Sequence, residues 1–136
     1  MAMKILITGG AGFVGTNLIK TLKSTKPEAE LYSIDNYSTG YKNNEQKGVK
    51  YYNHSLESPN ATKQMENINP DIIYHLAALA RIQPSFKYPN PTFDANMVGT
   101  QRVLEYARYN KTPVIYAGSS STHGGVYKNP YTFAKW

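Results

Sequence analysis

The sequence predicts an α/β fold built on a doubly wound, mainly parallel sheet of about five strands. Three observations carry that expectation. Short apolar runs alternate with segments of helical period along all 136 residues, the pattern of strands crossing over through helices. A glycine-rich turn joins the first run to the first helical segment. The second run closes on an acid, Asp35.

Lys4 to Thr8 (KILIT) is a short apolar run bounded by Gly9 and Gly10, suited to a strand buried on both faces. Val14, Leu18 and Leu22, with Ile19 beside them, recur at helical spacing between Phe13 and Lys23. Leu31 to Ile34 is a second strand ending at Asp35. Asn36 to Gly48 is polar and rich in Asn, Lys, Tyr and Gly, and reads as a long loop or a loop with one weak helical turn. Val49 to Tyr52 is a third strand and Ala61 to Ile68 a modest helix. Asp71 to Leu76 (DIIYHL) is a fourth strand after the turn at Pro70. Pro84, Pro89 and Pro91 mark an irregular stretch. Beyond it Phe93, Met97, Thr100, Leu104 and Ala107 trace one side of a long helix that ends near Asn110. Pro113 to Ala117 (PVIYA) is a fifth strand, followed by Gly118 and three serines. Pro130 can open a last helix, because proline at the first helical position gives up no needed donor.

The bulk numbers suit one soluble domain and exclude several classes. Hydrophobic residues make up 40% and charged residues 18%, far from the composition of a disordered chain. The net charge is +6, yet Lys and Arg are scattered singly from Lys4 to Lys135, whereas a nucleic-acid groove gathers them. Nucleic acid is therefore not an expected partner. Cysteine is absent, which removes disulfides, thiolate nucleophiles and cysteine-based zinc sites. His54, His75 and His123 show no metal spacing, and His75 reads as a packed histidine at a strand end, so no metal is expected. The N-terminus leads straight into a strand without a signal-peptide pattern, and no apolar run approaches bilayer length. A cytoplasmic, non-membrane protein is the expectation.

The turn Thr8-Gly9-Gly10-Ala11-Gly12-Phe13-Val14-Gly15 gives each of three glycines a task. Gly9 permits the sharp turn, Gly12 lets a pyrophosphate approach the backbone, and Gly15 lets the helix pack closely on the strand. The helix start then offers free N–H groups and positive dipole to phosphates. Asp35 arrives about 20 residues later at the end of the next strand, as ribose recognition requires. A carboxylate there accepts both ribose hydroxyls and repels a 2′-phosphate, which favours NAD over NADP. Strand, turn, helix and acid together predict a Rossmann-type dinucleotide-binding domain.

TGGAGFVG resembles the TGxxGxxG loop of the short-chain dehydrogenase/reductase superfamily, and the resemblance runs over almost the whole chain. It brings Phe13 and Val14 to the cofactor along with the glycines. Asp35-Asn36, followed by Ser38-Thr39-Gly40, is similar to the stretch that wraps the adenosine in nucleotide-sugar epimerases. His75-Leu76-Ala77-Ala78 resembles the motif that lines the cofactor after the fourth strand, and Asn96 through Thr100 resembles the N-x-x-G-T of the following helix. Gly118-Ser119-Ser120-Ser121 and Tyr131-Thr132-Phe133-Ala134-Lys135 complete the set, the last matching YxxxK. The resemblance thus implies an extended member of the NAD-dependent epimerase/dehydratase group. It would act on a UDP-sugar by transient oxidation at C4, and its family's dimers form through helices of this region. It also implies that residues 1–136 make an incomplete unit, ending before the C-terminal region that grips the sugar nucleotide.

Tyr131 and Lys135 are four apart, so on a helix they share a face. A free phenol has a pKa near ~10 and is a poor base at neutral pH. A nearby ammonium favours phenolate, which lets Tyr131 take a proton from a sugar hydroxyl. By resemblance, Lys135 also holds the nicotinamide ribose and Ser119 hydrogen-bonds the reacting oxygen. Counting back four from His123, which stands where relatives carry Tyr, selects Ser119; Ser120 and Ser121 could instead satisfy the turn. Dehydratases of the family carry Asp and Glu where this chain has Ser120 and Ser121, which tilts the expectation toward an epimerase. A dehydratase or reductase and a non-catalytic NAD-binding module remain the alternatives. One departure stands out: His54-Ser55-Leu56 occupies the place of a G-D-hydrophobic motif, leaving Ser55 and Leu56 to face the adenine.

Overall fold

The computed structural model describes residues 1–136. Five parallel strands form one sheet: β1 (Lys4–Thr8), β2 (Glu30–Asp35), β3 (Lys50–Asn53), β4 (Ile72–His75) and β5 (Val114–Tyr116), in the order β3-β2-β1-β4-β5. The doubly wound sheet is thus as the sequence predicts. Strand order reverses between β1 and β4, and the crevice at such a reversal, beyond the carboxyl ends of the strands, is where ligands bind in open α/β sheets. Register brings those ends level: Thr8 pairs with Ile34 on one side and His75 on the other, and Asp35 pairs with Asn53.

Helices cover both faces. On one side α1 (Phe13–Thr25) buries Ile19 and Leu22 against Ile5, Ile7 and Leu31. On the other, α2 (Pro59–Ile68) and α5 (Gly99–Asn110) bury Met65, Ile68, Val103 and Tyr106 against Leu6, Ile34 and Ile73. β1 alternates between the two clusters, the two-sided burial that its continuous apolar run requires. The polar loop after β2 carries one short 3₁₀ turn, Lys42–Asn44. No helix is long and apolar enough to cross a membrane.

Two expectations are corrected. The proline-rich stretch is helical, as α3 (Ile82–Lys87) and α4 (Pro89–Phe93). Pro84, Pro89 and Pro91 all fall in first turns, where a missing N–H breaks no intrahelical bond. α4 continues through a π-helical turn, Asp94–Val98, directly into α5. The buried side of this long element is Thr92, Asn96, Gly99, Val103, Tyr106 and Ala107; of the expected stripe Ala107 is buried, while Met97 and Leu104 are 39% and 49% exposed. Apolarity alone placed the inward face one residue off over most of its length. Gly99 packs closely on Leu56, and Asn96 satisfies its amide inside, so small and polar residues turn inward. The last helix, α6 (Pro130–Lys135), begins at Pro130 as expected.

Candidate functional site

A cleft of about 250 Å³ opens at the carboxyl ends of β1, β2 and β4. Gly9, Gly12, Phe13, Val14 and Gly15 form one wall. Gly9 sits at φ +76°, and a Cβ there would lie 2.9 Å from the Ala77 backbone. A Cβ on Gly15 would collide with the Gly9 carbonyl oxygen, so only glycine lets the helix start this close to the strand. Gly12 differs, because its Cβ would meet only one atom, 3.4 Å away, and would otherwise fill the cleft. The start of α1 has no side-chain cap and no acid in its first turn, and the N–H groups of Phe13, Val14 and Gly15 meet no acceptor in the protein. Free N–H donors, positive dipole and a cleared approach make this an anion-binding surface.

Asp35, 9% exposed at the end of β2, lines the next wall. Its two carboxylate oxygens accept the backbone N–H of Ala11 at 2.9 Å and of Tyr37 at 2.8 Å. Sequence reasoning had assigned it to a ligand alone; it also ties the glycine turn to the following loop. That loop is fastened back on Ala11, whose carbonyl accepts from Tyr41 N at 3.2 Å and Asn44 Nδ2 at 2.8 Å. A Cβ on Gly40 would lie 2.9 Å from the Ala11 backbone. Asn36, Ser38, Thr39 and Gly40 consequently face the cleft. Leu56 lines it too, whereas Ser55 lies beside it, accepting from Asn36 Nδ2 at 3.1 Å. His54 and Glu57 also line this end. Their neighbours Ser55 and Leu56 were the only signal for them.

Leu76, Ala77 and Ala78 form the floor, small enough to leave the volume open. Thr8 Oγ1 holds it from behind, accepting the N–H groups of Leu76 and Ala77, each at 3.1 Å. His75 is 1% exposed, stacked on Tyr116, with Thr8 and Thr100 hydroxyls 2.7 Å from its two ring nitrogens. Burial, with the Lys135 ammonium adding to it, pulls its pKa down to about 4. Asn96 does not reach the cleft surface. It is 1% exposed, and its amide brackets Leu79, accepting from the backbone N at 2.7 Å and donating to the carbonyl at 2.9 Å.

Ser119, Tyr131 and Lys135 gather outside the lining of that cleft, and Tyr116 links them to its floor through His75. The Tyr131 hydroxyl donates to Ser119 Oγ at 3.5 Å. Ser119 also caps the 3₁₀ turn Ser120–Gly124 by accepting from Ser121 N. The Lys135 ammonium donates to the Ala117 carbonyl at 2.6 Å and sits 4.6 Å above the Tyr116 ring. Burial lowers its pKa. α6 is anchored at its start: Asn129 Oδ1 accepts from Thr132 N at 2.7 Å, and Ser85 Oγ of α3 accepts from Tyr131 N at 3.1 Å. Ser85 carried no signal in the sequence.

Residues 5–134 match the model of the NAD dependent epimerase/dehydratase family. The chain is 33% identical over 136 residues to UDP-glucuronic acid decarboxylase 6 of Arabidopsis thaliana, covering 98% of itself and 38% of that relative. Among solved structures it resembles the UDP-glucose 4-epimerase of Thermotoga maritima with UDP-glucose, at TM-score 0.89 and 26% identity, over 98% of this chain and 48% of that one. The Thermus thermophilus UDP-glucose 4-epimerase complex with NAD is similar at TM-score 0.85 and 26% identity, over 98% and 47%. The chain thus spans less than half the length of these relatives.

Proposed function

The chain belongs to the NAD dependent epimerase/dehydratase family, and from that premise we propose that it is the cofactor-binding part of a UDP-sugar 4-epimerase. The observation that carries the reading is the Ser119–Tyr131 pair, 3.5 Å apart, with buried Lys135 on the same short helix beside a cleft headed by an uncapped helix. The cleft fits NAD: the free N–H groups of Phe13, Val14 and Gly15 suit a pyrophosphate, and the missing Cβ of Gly12 leaves it room. Each Asp35 oxygen takes one backbone N–H and keeps a further lone pair for a ribose hydroxyl. Asn36, Ser38, Thr39, Gly40, Leu56, Leu76, Ala77 and Ala78 border the rest of the cofactor, with Ser55 behind Asn36 and Asn96 behind Leu79.

NAD, when bound, supplies a two-electron oxidant that is restored within each cycle. The chain's own residues handle the proton. Tyr131 takes it from the C4 hydroxyl of the sugar, and Ser119 donates a hydrogen bond to that oxygen. Lys135 contributes positive charge to the cluster and, by resemblance, a grip on the nicotinamide ribose. Reduction of the 4-keto sugar from its other face then inverts C4, and Tyr131 returns the proton to the same oxygen. The exposed Met97 of the π-helical turn and Leu104 of α5 offer an apolar contact for a homodimer, and a cytoplasmic location suits the reading.

The decarboxylase relative favours a second reading, in which the same C4 oxidation prepares loss of a carboxyl group from a UDP-uronic acid. A 4,6-dehydratase is less favoured, because Ser120 and Ser121 replace the acids its elimination needs. The test uses the protein that carries this chain. NAD uptake is measured by calorimetry, and UDP-glucose and UDP-galactose interconversion is compared with carbon dioxide release from UDP-glucuronic acid. Interconversion abolished by Tyr131→Phe with NAD uptake retained is the expected result. NAD uptake without turnover of any UDP-sugar would leave a non-catalytic binding module instead.

A further inference from the structure

Two hydroxyls stand behind Ser119 that the reaction above does not use. Thr132, fully buried on α6, places Oγ1 3.1 Å from Ser121 Oγ. Ser121 Oγ lies 2.8 Å from Ser119 Oγ, and the Ser121 backbone N–H reaches the same oxygen at 3.3 Å. The Thr132 hydroxyl is fully buried and needs an acceptor. Ser121 Oγ is the acceptor within reach of Thr132, so the Thr132 hydrogen goes there. Ser121 Oγ is in turn hydrogen-bonded to Ser119 Oγ, and either oxygen can donate. The N–H and the hydroxyl of Ser121 thus both hold Ser119 Oγ. The Tyr131 hydroxyl donates to the same oxygen at 3.5 Å.

We propose that Ser121 and Thr132 are positioning residues, a short hydroxyl chain that holds Ser119 Oγ in place against Tyr131 and the sugar oxygen beside it. A hydroxyl so held needs no repositioning of Ser119 when the proton moves. Thr132 occupies the place between base and lysine where no chemistry is otherwise needed, yet it is a buried polar residue with its hydroxyl engaged. The chemical meaning of the chain rests on the C4 reading; its existence rests on the hydroxyl geometry alone.

The experiment compares Thr132→Val, nearly isosteric without the hydroxyl, with Thr132→Ser, which keeps it, in the protein that carries this chain. Thr132→Val should lower kcat about tenfold while KM, NAD affinity and melting temperature stay near wild type, and Thr132→Ser should restore kcat. A second readout needs no turnover. In mixed H2O and D2O, the carbon-13 signal of Thr132 Cβ should split, as a slowly exchanging bonded hydroxyl requires, and Ser121→Ala should collapse the splitting by removing the acceptor. Undiminished kcat in Thr132→Val, equal loss in Thr132→Ser, or an unsplit wild-type signal would overturn the proposal. A wild-type protein that turns over no UDP-sugar defeats the C4 reading, and the Thr132 signal still decides whether the hydroxyl chain exists.

Discussion

Acidification should loosen the floor of the cleft through one side chain, His75. Thr8 Oγ1 accepts two backbone N–H groups, from Leu76 and Ala77, which fills its lone pairs and turns its hydrogen toward His75 Nδ1. Nδ1 is therefore an acceptor, and Nε2 carries the hydrogen received by Thr100 Oγ1. A second proton on the ring would have to sit at Nδ1, against the hydroxyl hydrogen of Thr8. This geometry acts in the same direction as burial, which holds the folded pKa down to about 4 from an ordinary 6.5. Between those values the unfolded chain binds more protons than the folded one. Stability therefore falls as pH drops through this window and levels off below about 4. From pH 7 to pH 4.5 the loss due to His75 comes to about 2 kcal/mol, a large part of the stability of a small domain.

The assay is urea unfolding of the wild type and of His75→Gln across that range. The variant starts less stable at pH 7, because glutamine cannot bridge Thr8 and Thr100 as the ring does. Its pH dependence lacks the histidine contribution, while every carboxylate still contributes in both proteins. The gap between the two proteins should narrow by about 2 kcal/mol on going to pH 4.5. Parallel curves across the window would refute the argument, since they would mean that His75 takes its second proton as readily folded as unfolded.

Two further outcomes follow from the same geometry. Gly15→Ala forces a Cβ into the Gly9 carbonyl and to 2.7 Å from Gly10 Cα, so calorimetry should show NAD affinity reduced more than tenfold, with a melting temperature several degrees lower. Wild-type affinity in that variant would remove the close-approach explanation of the glycine. Ser85→Ala leaves the Tyr131 N–H without its acceptor in a position 1% exposed at the serine, and should cost about 1–2 kcal/mol in urea unfolding; an unchanged midpoint would show that α6 is held by Asn129 alone.

The legible parts of the fold were those in which a residue's neighbours in sequence decide its place. β1 lies where its apolar run placed it, α1 starts at Phe13 after the glycine turn, and Pro130 opens α6. The glycines and Asp35 were readable because a strand-turn-helix unit fixes their spacing. The long helix was misread by one residue because its inward face is chosen by partners far away: Leu79 for Asn96 and Leu56 for Gly99. Glu57 and His54 reach the cleft only because β3 lies beside β2, a pairing that no local pattern announces. Ser85 meets Tyr131 across 46 residues, and a serine on a helix has no sequence mark that tells such an anchor from a solvated side chain.

The cleft is built in two layers, and the second explains why the first can be so plain. Its surface is largely backbone and small side chains, with Gly9, Gly12, Ala77 and Ala78 leaving peptide groups exposed to whatever enters. Behind them polar side chains fix those peptides: Thr8 holds Leu76 and Ala77, Asn96 holds Leu79, and Asp35 holds Ala11 and Tyr37. Donors held in this way need no rearrangement when an anion arrives, so less of the binding energy is lost to ordering the site. The same layering changes what a substitution at Asp35 means. Removing its carboxylate deprives two backbone N–H groups of their acceptor and frees the glycine turn, besides withdrawing any contact with a ribose. Weakened NAD binding in Asp35→Ala would then report the turn as much as the sugar, and only a changed preference between NAD and NADP would isolate the ribose contact.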